Sequence, residues 1–288
     1  MHPSRFEYHR AGSVEEALEL LSTHGEEAKL LAGGHSLLPL MKLRFAEPAH
    51  LIDIRHVEGL SGIREEDGTV VIGATTTHRE VESSPLLREK VPILAEAASL
   101  IGDPLVRNMG TIGGSLAHAD PAADLPAVVL ALDAEIRAVG PDGSRTIPAE
   151  DCFLGIFTSA LTAAEVLTEV RVPVPGAGTG QAYEKFPHPA SRYALAGVAA
   201  SVSVDGGTIE GARVAVTGLG GVASRARGVE EALTGSPAEA ATVEEAAARS
   251  DEGLDPQADL QGSVEYKRNL ARVVARRALA RALERAGS

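Results

Sequence analysis

The feature that most constrains this chain is a short apolar run ending on paired glycines: Lys29–Ser36 reads K-L-L-A-G-G-H-S. Leu30, Leu31 and Ala32, following Lys29, suit a buried strand, and Gly33-Gly34 ends it before His35 and Ser36. Glycine reaches φ > 0 and carries no Cβ, so successive peptide N–H groups can turn inward and lie close to an anion. A second stretch of the same kind, Gly110-Thr111-Ile112-Gly113-Gly114-Ser115, lies far downstream. Each stretch ends in a serine hydroxyl, and two such turns suit a ligand with two adjacent phosphates. Singly, a glycine pair is only a turn; together the two favour a pyrophosphate cradle. Neither is a familiar nucleotide loop. The first is G-G-H-S rather than G-x-G-x-x-G, and no glycine precedes Lys-Ser or Lys-Thr, which sets aside Rossmann and P-loop readings.

At 288 residues the chain has the length for two or three domains. A net charge of −13 opposes a nucleic-acid or anionic-membrane surface. No apolar run approaches the roughly 20 residues of a membrane span, and Met1–Phe6 lacks the apolar core of a signal peptide. A cytoplasmic location is expected. Cys152 is the single cysteine, which excludes an intrachain disulfide and any cluster held by four cysteines of this chain. Electrons passing through such a chain need an organic carrier. His35, His78 and His118 never fall at i, i+4 and lack cysteine partners, so no metal site is read from them.

Along the chain, Ser13-Val14-Glu15-Glu16 reads as a capping box in which Glu16 reaches back to the Ser13 amide. The helix it starts ends near Gly25. Ala28–Ala32, Leu37–Arg44 and Leu51–Ile54 form a β-α-β arrangement around the first glycine turn. A hairpin is expected at Glu66-Asp67-Gly68 and a second capping box at Thr77–Glu80. Ile93–Leu100 reads as a helix broken by Asp103-Pro104, and Ala122–Leu132 as an apolar helix. Strands follow at Ala134–Val139, Arg145–Ile147 and Val166–Val172. Gly176–Gly180 reads as a linker. Beyond it, strands at Ala182–Phe186, Ala196–Val204 and Thr208–Thr217 precede helices at Ser224–Leu233, Pro237–Ala248 behind a Ser236 cap, and Val264–Ala286. The second half therefore reads as a small antiparallel sheet backed by helices, an α+β layer. Asp120 and Asp124 sit where the second glycine stretch runs into a helix. Asp124 reads equally as a first-turn acid favoured by the helix dipole or as a ligand contact. Lys267, Arg268, Arg272, Arg276, Arg277, Arg281 and Arg285 of the last helix read as a solvated basic face in preference to a docking face.

L-A-G-G-H-S-L-L-P-L-M-K, I-G-A-T-T-T, M-G-T-I-G-G, the Asp120–Pro126 run and A-Y-E-K-F at Ala182–Phe186 together resemble one family. It is the FAD-binding medium subunit of molybdenum hydroxylases, nearest the aerobic carbon monoxide dehydrogenase type. The resemblance runs from Phe6 to the final helix. It implies an α+β chain: a vanillyl-alcohol-oxidase (PCMH)-type FAD-binding domain at 1–176, in subdomains of about 1–56 and 57–176. A carbon monoxide dehydrogenase flavoprotein C-terminal α+β domain follows at 177–288. It also implies noncovalent FAD, with Ala32–Ser36 and Thr111–Ser115 on the pyrophosphate. Ile101, Asp124, Leu167 and Lys185 match further FAD-contacting positions, and Tyr193 a residue near the isoalloxazine. Ser115 stands where the family often has Asn. The implied partners are an iron–sulfur small subunit carrying 2Fe-2S clusters and a large subunit carrying the molybdenum cofactor, assembled as a dimer of heterotrimers that serves an external electron acceptor. Two other readings stay open. One is a stand-alone flavin oxidase or reductase; in some flavin oxidases of this wider fold a histidine resembling His35 carries the flavin covalently. The other is a flavin-free assembly subunit, which the intact glycine stretches oppose.

Overall fold

The computed structural model describes residues 2–287. Its first sheet contains β1 (Glu7–Arg10), β2 (Ala28–Leu31) and β3 (His50–Asp53), all parallel, in the order β1-β3-β2. The crossovers are α1 (Val14–His24) and α2 (Leu37–Leu43). Successive strand residues face opposite sides, so each helix covers one face. Ala28, Leu30 and Ile52 pack with Ala17 and Leu21 of α1, while Leu31 and Leu51 pack with Met41 of α2. β1 has no apolar alternation to announce it: E-Y-H-R is a largely exposed edge strand. Ser13 caps α1 as expected, accepting from Glu16 N at 3.2 Å. The Glu16 carboxylate, however, accepts from Gly12 N at 2.7 Å and not from the Ser13 amide.

The second sheet opens with β4 (Ile63–Glu66) and β5 (Thr69–Gly73), joined through Asp67 and Gly68 at φ 47° and 75°. Two positive φ values are what a type I′ hairpin turn requires. Then come α3 (His78–Ser83), α4 (Pro85–Lys90), α5 (Pro92–Ser99) and α6 (Pro104–Arg107). The Thr77–Glu80 capping box is complete, each residue's side chain accepting from the other's backbone N–H. Asp103-Pro104 does more than break a helix: Asp103 Oδ1 accepts from Val106 N at 2.9 Å and starts α6. After α7 (Ile112–His118) and α8 (Asp124–Ala131), the chain lays down β6 (Glu135–Gly140), β7 (Gly143–Pro148), α9 (Ala149–Cys152), the small β8 and β9 (Phe153–Gly155 and Thr158–Ser159) and β10 (Val166–Pro173). The antiparallel order is β4-β5-β10-β6-β7.

The third sheet comprises β11 (Thr179–Pro187), β12 (Ala194–Asp205), β13 (Thr208–Thr217) and β14 (Ser224–Arg225), in that order. α10 (Arg227–Leu233), α11 (Ala240–Ala247) and α12 (Val264–Ala286) complete the chain. Every residue of α8 is buried, because the helix packs on β12 and β13 while sharing a core with Ile72, Ile136 and Val170 of the second sheet. Gly176–Gly180 is only partly a connector. Gly180 belongs to β11, and a Cβ there would collide with the Ala282 carbonyl, so glycine lets the α12 backbone press onto the strand. Ser224 is in a strand instead of opening a helix. Ser236 does not cap a helix, since its hydroxyl donates to Ala232 O at 3.0 Å and α11 starts behind Glu239.

The basic face of α12 is solvated at Arg268, Arg272, Arg276 and Arg277, which are exposed, while its C-terminal end is tied to a neighbouring layer. Arg281 and Arg285 both reach Glu96 of α5, the latter at 2.9 Å, and Arg272 holds Asp251 at 2.7 Å. The two pairs with Glu96 pin the third layer against the second, and the Arg272–Asp251 pair holds α12 to the segment after α11.

Candidate functional site

β2 runs into the Ala32–Ser36 turn. Gly34 sits at φ 72°, a conformation that strains any side chain. Gly33 is required for a different reason. A Cβ on it would collide with the Met109 carbonyl oxygen and lie 2.7 Å from Gly110 Cα. The two glycine stretches, remote in sequence, are therefore in backbone contact. Among the described residues, the backbone N–H groups of Gly33, Gly34, His35 and Ser36 donate to no protein acceptor. His35 Nδ1 lies 3.1 Å from the Gly33 carbonyl; the carbonyl can only accept, so this nitrogen carries the ring hydrogen.

The second stretch, expected as another turn, instead opens a helix. Thr111 is the N-cap of α7, its Oγ1 accepting from Gly114 N at 3.1 Å, and neither Gly113 nor Gly114 has positive φ. Ile112 N donates to Thr76 O at 3.0 Å and Gly113 N to Ala74 O at 2.9 Å. A Cβ on Gly113 would lie 2.6 Å from the Ala74 carbonyl oxygen. This motif is thus sewn to the end of β5, and it turns Thr111, Gly114 and Ser115 toward the open space beside the first turn.

That space is a cleft of about 1230 Å³, larger than the roughly 300–1,000 Å³ usual for a small-ligand pocket. Its walls come from all three layers: Lys29 to Ser36 from the first, Ile101, Thr111, Gly113 to Ser115, Asp124 and Leu167 from the second, and Tyr193 from the turn after β11. Of the residues expected at the site, only Ile112 and Lys185 stand outside the lining. Ile112 is fully buried in the core beneath α7. Lys185 is held behind the wall, its Nζ donating to Asp124 Oδ2 at 2.8 Å and Leu100 O at 3.1 Å. His118, Phe157 and Arg192 also line the cleft. Phe157 and Arg192 adopt φ 54° and 61°, and a non-glycine residue at positive φ leaves no mark in a sequence.

Asp124 is both a first-turn acid and a residue of the cleft wall. It opens α8, where a carboxylate favours the helix dipole, and it touches the cleft. Its main contacts are elsewhere: Tyr183 O–H donates to Oδ1 at 2.5 Å and Lys185 to Oδ2. Burial raises the carboxyl pKa against the opposing Lys185 charge, and burial lifts the Tyr183 phenol well above its ordinary value. Gly197 makes room for this pairing, since a Cβ there would strike the Tyr183 hydroxyl. The loop before α8 is also clamped: Thr217 Oγ1 donates to Pro121 O and Ala123 O at 2.9 and 2.8 Å. At the mouth, burial and the nearby Asp120 raise the Tyr193 phenol, while a hydrogen bond with Ser36 opposes them. Behind Gly110, burial brings the His78 imidazole down to about 4, with His35 and Arg107 adding to the effect, and its Nδ1 has no protein partner.

Residues 4–175 match the family described as the FAD binding domain in molybdopterin dehydrogenase, and residues 181–282 match the CO dehydrogenase flavoprotein C-terminal domain. The chain belongs to the FAD-binding medium subunits of the molybdenum hydroxylases. It is 47% identical over 279 residues to the carbon monoxide dehydrogenase medium chain of Hydrogenophaga pseudoflava, covering 97% of each chain. It is 42% identical over 287 residues to the 6-hydroxypseudooxynicotine dehydrogenase complex subunit alpha of Paenarthrobacter nicotinovorans, covering 99% of this chain and 97% of that one. The solved carbon monoxide dehydrogenase from Hydrogenophaga pseudoflava superposes with a TM-score of 0.96 at 48% identity, over 99% of both chains. Quinoline 2-oxidoreductase from Pseudomonas putida 86 gives 0.94 at 32%, over the full length of both.

The α+β fold class read from the sequence is therefore the observed one, and this medium subunit is an oxidoreductase subunit whose cofactor is FAD. Its residues fit that cofactor. The first turn offers unclaimed N–H groups to phosphate oxygens, Gly33 brings the second stretch into backbone contact beside them, and the Tyr193 and Phe157 rings line the cleft. Cys152 is buried, its thiol pushed up to about 11 by that burial, which opposes metal or redox chemistry at sulfur. No described helix is long and apolar enough to cross a membrane.

Proposed function

We propose that this medium subunit holds FAD noncovalently and extended along the cleft, as the electron-transfer station between an iron–sulfur small subunit and an external acceptor. The observation that carries the proposal is the backbone contact of Gly33 with Met109-Gly110 beside four unclaimed N–H groups. Gly33, Gly34, His35 and Ser36 give the pyrophosphate its hydrogen bonds from one side, and Thr111, Gly114 and Ser115 face it from the other. Gly113 and Ile112 act behind them by fixing α7. Lys29, Leu30, Leu31, Ala32, Ile101 and Leu167 shape the apolar walls. Asp124, oriented by Lys185 and Tyr183, offers an acceptor to a ligand hydroxyl. Tyr193 closes the mouth against the ring system. His35 turns its Nδ1–H back to its own loop, which supports noncovalent binding.

Bound there, the flavin supplies the capacity to exchange electrons singly or in pairs. The chain's part is to bind it, orient it and limit water around it. With one buried cysteine, this chain holds no 2Fe-2S cluster of its own. Relatives named for carbon monoxide, glyceraldehyde, nicotine and caffeine share this chain's length and order. We infer that the substrate is chosen on a molybdopterin-bearing large subunit, in a cytoplasmic dimer of heterotrimers, and that 1–176 and 177–288 are the working domains of this subunit.

Acid precipitation of the flavin-loaded chain is expected to release FAD into the supernatant; flavin that stays with the pellet overturns noncovalent binding. Under anaerobic conditions, carbon monoxide or another holoenzyme substrate is expected to bleach the flavin only after both partner subunits are added. Bleaching of the isolated chain overturns the relay.

A further inference from the structure

Outside the cleft lining, three histidines that are well separated in sequence converge. His9 lies on β1, His24 ends α1 and His50 begins β3. The parallel register sets Glu7 opposite His50 and His9 opposite Ile52. Residues two apart on a strand share a face, so Glu7, His9, His50 and Ile52 lie on one side of the sheet. Ile52 packs against Ala17 and Leu21, so this is the side α1 covers. The last residue of α1, His24, lands there as a consequence. The cluster occupies the amino end of the sheet, while the glycine turn leaves its carboxyl end.

One ring nitrogen from each histidine lies within 4.8 Å of the other two, the one such group among the described residues. His9 Nε2 and His50 Nδ1 are 3.0 Å apart. Around a tetrahedral zinc with bonds of about 2.0–2.1 Å, neighbouring nitrogens stand about 3.4 Å apart, so the pair is already near that spacing. The Glu7 carboxylate lies 3.6 Å from His50 Nδ1 and 4.0 Å from His9 Nε2, and its side chain is 74% exposed and free to swing in. Both β1 histidine and carboxylate are presented by a strand already pinned to β3, which limits the ordering a bound ion would demand. The carboxyl end of α1, an 11-residue helix, points its partial negative charge at the same spot and favours a cation there. His24 and His50 are at present stacked, with centroids 3.7 Å apart and planes 18° from parallel. Coordination would tilt these rings until their lone pairs meet.

We propose that His9, His24 and His50, with Glu7 as the fourth ligand, form a site for one divalent zinc-class metal ion that clamps β1, α1 and β3 together. Three imidazoles and a carboxylate suit zinc, cobalt or nickel over magnesium or calcium. The site is separate from electron transfer and from the flavin: none of its residues lines the cleft. Its role is to fasten an edge strand that has few apolar contacts of its own.

The test uses the full chain without a polyhistidine tag, stripped with a chelator and titrated calorimetrically with Zn²⁺. One equivalent per chain is expected, with micromolar or tighter affinity, and Co²⁺ should give the intense d–d absorption of tetrahedral coordination at wavelengths beyond the flavin bands. His9→Gln, His24→Gln and His50→Gln should each weaken zinc by at least about 10-fold, while flavin content stays unchanged. His24→Gln, at a helix end, is the variant least exposed to misfolding, and the Co²⁺ spectrum of the unmutated chain needs no variant at all. Absence of saturable one-to-one uptake, an octahedral Co²⁺ spectrum, or zinc affinity unaltered in folded His24→Gln each overturns the proposal.

Discussion

The two glycine stretches look alike in sequence and work in opposite ways. Gly33-Gly34 forms a turn with φ 72° at its second glycine and N–H groups left unclaimed. Gly113-Gly114 lies inside a helix, with the Gly113 N–H already given to Ala74. What a glycine pair encodes is the absence of two Cβ atoms, and what approaches decides the use of that absence. At the first stretch the missing Cβ of Gly33 lets Met109 and Gly110 close in, and the unclaimed N–H groups sit beside the cleft. At the second, the missing Cβ of Gly113 admits the Ala74 backbone, so the motif anchors the wall while Thr111, Gly114 and Ser115 reach the cleft.

The sharpest way to break this contrast is to add one methyl group to each. Gly33→Ala is expected to abolish FAD retention, because the new Cβ collides with Met109 O at the point where the two stretches meet. Gly113→Ala is expected to destabilise the chain by about 1–3 kcal/mol through overpacking against Ala74, with the folded fraction keeping much of its FAD affinity. Flavin titration and urea unfolding on both variants decide it. Equal losses of affinity at matched stability would make the stretches equivalent cradles.

Acid offers a second handle, since His78 backs the second stretch and its backbone N–H donates to Gly110 O at 2.8 Å. The folded pKa of about 4 lies below the ordinary 6.5, so between these values the unfolded chain binds a proton that the folded chain refuses. The stabilisation is fully present above about pH 6.5 and is lost as pH falls toward 4, a loss of about 3 kcal/mol in all. Urea midpoints across pH 4–7 should therefore rise more steeply with pH in the unmutated chain than in His78→Gln. Parallel profiles would show that His78 is not held neutral.

The smallest effect is expected at Thr111→Val, which removes the α7 cap at a cost of about 0.5–2 kcal/mol. Calorimetric Tm should fall and FAD affinity should shift by less. A drop in affinity without a drop in Tm would mean that the hydroxyl serves the ligand instead of Gly114 N.

Local chemistry made much of the fold legible. Asp67-Gly68 specifies a I′ turn with no help from the rest of the chain, and Thr77 with Glu80 closes a capping box within four residues. The first glycine turn was readable because strand, turn and helix are consecutive. What stayed hidden depends on partners distant in sequence. β1 is a strand only because β3 pairs with it. Gly180 resembles linker until α12 returns across it, and Arg281 and Arg285 look solvated until Glu96 appears opposite. The same reason conceals the convergence of His9, His24 and His50, and it explains why Lys185 belongs to the site through Asp124 and not by facing the cleft. Ile112 follows the helix it starts and is carried into the core.

Asp124 has a consequence for inheritance. Both its oxygens are engaged by Tyr183 and Lys185, which lie within the residues matching the C-terminal family, and the flank of its helix packs on β12 and β13. The flavin module is therefore not a cassette that recombination can pass intact to a new neighbour. A chimera that joins this N-terminal domain to a foreign C-terminal one would receive a buried carboxylate with no partners unless a matching phenol, ammonium and the Gly197 notch arrive together. At this seam a change on one side leaves a buried charge or phenol unmatched unless the other side changes with it.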